Sequence, residues 1–166
     1  MSNLPWLAPA LTVWLVVAVV GARQAGRALG GHPLLGASLI ISVGVILSAT
    51  LTPLRGAIEG GIVGSGQCDL GRIAPASIQQ LLRFDDVALN VALLVPLGVV
   101  LGLLPHSRLW LGLMFGAIAL PFVVEGVQLL LTALGRACES GDVIDNLTGL
   151  ALGLGAGSAY RVIRRR

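Results

Sequence analysis

The sequence predicts an all-α, polytopic transmembrane bundle of about five spanning helices, and three observations carry that expectation. Of 166 residues, 55% are hydrophobic and only 11% are charged, against about a quarter charged in an ordinary soluble domain. The charges sit between long apolar runs, and the mean hydropathy is +0.91, the pattern of a chain that crosses a membrane several times. Twenty-three glycines fit the same class, because small residues let membrane helices approach closely. A single integral membrane domain over residues 1–166 is expected, without a soluble domain, its motif-bearing part at about 85–160.

Five runs approach the roughly 20 apolar residues that a bilayer requires. They are Trp6–Ala22, Leu34–Leu51, Val87–Leu104, Leu109–Leu134 and Val143–Ile163. The second and third carry no charge at all; the fifth has Asp145 and Asn146 in its first turns. A secretory signal has a basic stretch before its apolar core, but here Arg23 and Arg27 follow the first run instead. That order suits an uncleaved span with its amino terminus outside. All eleven basic residues are arginines. With the amino terminus outside, Arg23, Arg27, Arg108, Arg161 and Arg164–Arg166 fall on the cytoplasmic side, so the positive-inside rule puts the carboxyl terminus there too. The tail RVIRRR reads as a stop-transfer anchor drawn to anionic lipid heads. No aromatic-interleaved basic surface accompanies it, which argues against a nucleic-acid partner.

Between the second and third runs lies the longest non-spanning segment, about Pro53–Phe84. Its GGIVGSGQ stretch lacks the Gly-Lys-Ser/Thr of a phosphate-binding loop. Farther on, Pro75 opens a stretch with Ile78, Leu81 and Leu82 on one helical face, a candidate short interfacial helix. Glycines at every fourth position form three stripes: Gly149, Gly153 and Gly157; Gly98 and Gly102; Gly112 and Gly116. Such stripes are expected to be helix-contact seams. Pro96 and Pro121 lie inside spans, where each removes a backbone donor and frees the carbonyl four residues earlier; Pro121 is a candidate bend just before Glu125.

The polar residues left inside the greasy runs converge. Glu125 and Gln128 are three apart on one face of the fourth helix, about 16 Å and 12 Å below Arg136 at roughly 1.5 Å per residue. Asn90 lies about one turn into the third helix, and Asp142, Asp145 and Asn146 open the fifth. Three helices therefore direct Asn90, Glu125, Gln128, Arg136, Asp142 and Asn146 towards one outer-leaflet zone. An intramembrane carboxylate marks a functional site by default, and an arginine at such a rim can grip a phosphate or carboxylate. The plainer alternatives are that the buried groups satisfy one another, Glu125 bonding to Gln128 or Asn90, and that Arg136 and Asp142 form a surface pair. No His/Cys/carboxylate spacing suggests a metal, no serine or cysteine nucleophile has a local base, and no cofactor is implied. Cys68 and Cys138 both fall outside, where a disulfide would persist and tie the long loop over the polar zone; two unrelated thiols are the alternative.

At these residues the chain resembles the VanZ family. The resemblance rests on LNVALLVPLG (Leu89–Gly98), VEGVQ (Val124–Gln128) and GRACESGDVIDNLTG (Gly135–Gly149), and covers roughly the carboxyl-terminal half. It carries over to Asn90, Pro96, Gly98, Glu125, Gln128, Arg136, Asp142, Asn146 and Gly149. Val95 stands where the family has an aromatic residue before the proline. The resemblance implies a bacterial cytoplasmic-membrane protein acting at the cell envelope, in a family named for an accessory protein of teicoplanin resistance. It identifies no enzyme. The leading expectation is a polar site binding a lipid, a cell-wall precursor or a lipid-tailed glycopeptide, with membrane lipids or envelope amphiphiles as partners. An intramembrane enzyme using Glu125 as acid or base, a small transporter, and a structural assembly protein are the alternatives.

Overall fold

The computed structural model describes residues 4–83 and 86–164; Arg165 and Arg166, counted above for orientation, lie outside that range. The described chain is essentially all helical. Helix α1 (Leu7–Ala28) and helix α2 (Pro33–Leu51) form an antiparallel hairpin. Its turn uses Gly30 at φ 63°, then Pro33 at the first position of α2, where the missing N–H costs nothing. The hairpin closes tightly because Gly36 packs on the backbone of Ala22 and Gly26, and Gly44 packs on the Trp14 ring. The long loop contains α3 (Arg55–Gly60), the two-residue strand β1 (Cys68–Asp69) and α4 (Ile78–Leu81). The last is four residues long and starts in a capping box between Ser77 and Gln80. Helix α5 (Asp86–Leu103) returns through the bundle, α6 (Arg108–Leu130) runs back, a 3-10 turn and strand β2 (Cys138–Glu139) follow, and α7 (Ser140–Ile163) completes the chain.

Among the described residues, four helices are long and apolar enough to cross a membrane: α1, α2 with its continuation to Gly60, α5 and α6. Helix α7 has the length, at 24 residues, but Asp142, Asp145 and Arg161 make it more polar than the others. The outward faces agree with an apolar surround. Val19 and Val20 of α1 are 73% and 76% exposed, as Phe115 of α6 is, which is costly in water and free in lipid.

The second and third apolar runs match their helices to within a residue at each end. Helix α1 continues six residues beyond the expected Ala22, through Arg23 and Arg27. The fourth run, in contrast, stops at Leu130 rather than Leu134. The long loop takes its last carbonyls: Gly64 N–H donates to Thr132 O at 2.7 Å and Leu54 N–H to Leu134 O at 3.1 Å, and Gly135 at φ 69° then reverses the chain.

The tightest packing joins α5 and α7. Cβ atoms added at Gly149, Gly153 and Gly157 would strike the carbonyls of Val91, Val95 and Val99 in turn; those at Gly98 and Gly102 would strike the carbonyls of Leu150 and Leu154. Successive fourth residues of one helix meet successive fourth residues of the other, so the two run parallel in one register. The Gly112–Gly116 stripe behaves differently. A Cβ at either position meets nothing within 4 Å, so the expected seam on α6 is not closed; the two glycines line a second cavity that Leu39 and Val43 of α2 and Leu97 and Leu101 of α5 also border. Leu94, Leu97, Leu101, Leu104, Ile46, Ala117 and Leu150 form the apolar core between α2, α5, α6 and α7. Both prolines are accommodated within continuous helices. Arg23, Arg27, Arg108 and Arg161 collect at one end of the bundle, Arg161 donating to Leu104 O at the end of α5. The opposite end is polar.

Candidate functional site

The polar end is built in three layers. The first is a buried ion pair. Asp145, in the second turn of α7, is 0% exposed, and such a carboxylate requires a cation. Arg72 of the long loop supplies it through both carboxylate oxygens, Nη1 to Oδ1 at 2.9 Å and Nη2 to Oδ2. Its own carbonyl accepts the Ser140 hydroxyl at 2.8 Å. Gly141 leaves room for this guanidinium, since a Cβ there would lie 2.6 Å from Arg72 Nη2 and push it from its place. The hydrogen bond to Asp145 holds the Arg72 guanidinium above its ordinary pKa.

The second layer finishes α2. The last carbonyls of a helix lack intrahelical partners and carry the negative end of its dipole. Arg136 donates to Ala49 O at 2.6 Å and Thr52 O at 3.3 Å, and Gln128 Nε2 donates to Thr50 O at 3.0 Å. Arg136 is therefore held on backbone carbonyls rather than paired with a carboxylate. Burial pulls the Arg136 guanidinium below its ordinary pKa, against the fields of Asp142 and Glu125.

The third layer is Glu125, 6% exposed in α6. Its Oε2 accepts the Glu139 backbone N–H at 2.8 Å, a bond from the start of α7, where a helix terminus favours negative charge. Its partner is thus neither Gln128 nor Asn90. Oε1 has no hydrogen-bond partner among the described residues. Asn146 is 3% exposed with Oδ1 likewise unpartnered.

Above these layers β1 and β2 pair in parallel, Cys68 beside Cys138 with Cα atoms 4.5 Å apart and the sulfurs joined in a disulfide. Beneath this strap, between α6 and α7, lies a cavity of about 450 Å³. Phe122, Leu129, Val143, Ile144 and Leu147 form its apolar wall, and Glu125, Glu139 and Ser140 its polar end. Gly126 opens it further, since a Cβ there would meet nothing within 4 Å. Asn90, Glu125, Gln128, Arg136, Asp142 and Asn146 thus share one end of the bundle, but of these six only Glu125 lines the cavity. Sequence reasoning left Arg72 and Glu139 out of the site, and brought Asp145 to the outer level without giving it a role. The available signal was Asp145 in the first turns of an apolar run, a charge that demands one of the few outer arginines. No group of three His, Cys, Asp or Glu side chains is placed to hold a metal among the described residues.

Neither a curated protein nor a solved structure matches the chain significantly. A family model does, and it reaches well beyond the carboxyl-terminal motifs into the first hairpin. The model described as VanZ/LLP1 matches residues 12–161, nearly the whole chain, and the protein belongs to that family.

Proposed function

We propose that this protein binds the chain and head of a membrane amphiphile laterally, in the groove between α6 and α7. The observation that carries this reading is the cavity itself, an apolar wall ending at one buried carboxylate with a free oxygen. Mostly apolar pockets with a few placed polar groups are the usual form of a small-molecule site. Seven helical steps from Ser140 to Leu147, or from Leu129 to Phe122, give the groove a depth of roughly 10 Å along the helix axes. In this reading the polar end faces outside. The arginine excess at the other end then lies in the cytoplasm, the disulfide sits where disulfides persist, and α7 crosses beside α5. A lipid, a tailed cell-wall precursor or a lipid-tailed glycopeptide would all enter from the outer leaflet. Protection against teicoplanin, if this protein confers it, would follow from engagement of the tail.

The test is a photoreactive alkyl probe added to purified protein in neutral detergent, with the labelled peptides mapped. Label concentrated on Phe122, Ile144 and Leu147 supports the groove. Label spread in proportion to lipid exposure, heaviest on the open face of α1, contradicts it.

A further inference from the structure

The polar end of the groove offers acceptors and keeps its cationic donors elsewhere. Glu125 Oε1 is unpartnered, and the Glu139 side chain on the same wall has no partner among the described residues. The Ser140 hydroxyl is already spent on the Arg72 carbonyl. Both arginines near the site are engaged: Arg72 by the two oxygens of Asp145, Arg136 by the carbonyls of Ala49 and Thr52. The start of α7 would by itself draw an anion. Here, however, Glu125 already takes the Glu139 N–H, and Asp142 occupies the first turn of that helix. Of the charged groups whose fields reach Glu125, Asp142 and Glu139 are acidic and Arg136 is basic. A phosphate head would find carboxylates and no free guanidinium. A head with several N–H donors would find the free oxygen of Glu125 in the groove and the exposed side chain of Glu139 beside it.

We propose that the groove selects amphiphiles with a primary ammonium head, whose N–H donors bind Glu125 Oε1 and the Glu139 carboxylate while the chain lies along Phe122, Ile144 and Leu147. This rests on the lateral-groove reading above and adds the class of ligand to it. A charge-assisted hydrogen bond is about twice as strong as a neutral one, so the head, not the chain, sets the preference among chain-matched ligands.

Tetradecylamine, tetradecyl phosphate and tetradecanol would compete against the photoreactive alkyl probe, read as loss of label at Phe122 and Ile144. The amine is expected to displace the probe at about tenfold lower concentration than either other head. Glu125→Gln should erase most of that advantage. Should Glu125→Gln fail to fold, Glu139→Gln, at an exposed side chain, should still reduce it. Phosphate or alcohol competing as well as the amine overturns the selectivity, as does an amine preference that survives both substitutions. The two levels separate cleanly. Groove label without head preference defeats only this inference, whereas absence of groove label defeats the lateral-groove reading and this inference with it.

Discussion

Arg72 and Arg136 approach the same end of the bundle from different loops, yet one meets a carboxylate and the other meets only carbonyls. Arg72 lies across Asp145 and neutralises a charge buried in α7. Arg136 lies across the end of α2 and completes backbone groups that carry no formal charge. The consequence is asymmetric. Asp145 is fully served, so it is closed to any ligand. Glu125 has no guanidinium against it, keeps one oxygen free, and lines a cavity. Two arginines that composition treats alike therefore leave one carboxylate structural and the other available for recognition.

The largest effect should come from breaking the first arrangement. Arg72→Ala strands an enclosed carboxylate and should cost about 3–5 kcal/mol, read as a lowered unfolding temperature in detergent. Asp145→Asn in the same chain should recover much of the loss, because it removes the orphaned charge. Next in size, Gly149→Ala forces a Cβ onto the Val91 carbonyl and should destabilise the α5–α7 pair by about 1–3 kcal/mol. The matching change Gly112→Ala meets open space and should be neutral or gain a few tenths of a kcal/mol from helix propensity. Arg136→Ala should cost less than Arg72→Ala, about 1.5 kcal/mol, since it removes helix-end bonds without exposing an opposite charge. If the two arginine variants lose equal stability, the distinction between them is wrong. A chemical readout sharpens the disulfide: intact protein should gain no alkylation mass until it is reduced.

Much of the fold was legible because membrane spans are written in composition. The uncharged second and third runs needed no tertiary information, and α2 and α5 end within a residue of them. The fourth run misled because its apolar residues continue to Leu134 while the loop at Leu54 and Gly64 claims the last carbonyls. Glycine stripes showed the same limit. The α7 stripe and the α6 stripe have identical spacing, but only the first is packed tightly against a helix. Helical depth arithmetic places Glu125, Gln128, Asn90 and Asp142 at one end, since rise per residue is fixed. It says nothing about who bonds to whom. Arg72 reaches Asp145 across 73 positions of sequence from a loop with no periodicity, and the same loop brings Cys68 and Leu70 to the cavity wall.

Gly126→Leu offers the most direct measurement, because its Cβ would meet nothing within 4 Å and the rest of its side chain would occupy the cavity. Native mass spectrometry of wild type and variant, after equal exposure to the same amphiphile, reads occupancy. Retention by wild type and loss in Gly126→Leu, at an unchanged unfolding temperature, is the result expected of a ligand groove between α6 and α7. Equal retention by both proteins would contradict it and place the bound amphiphile on some other face of the bundle.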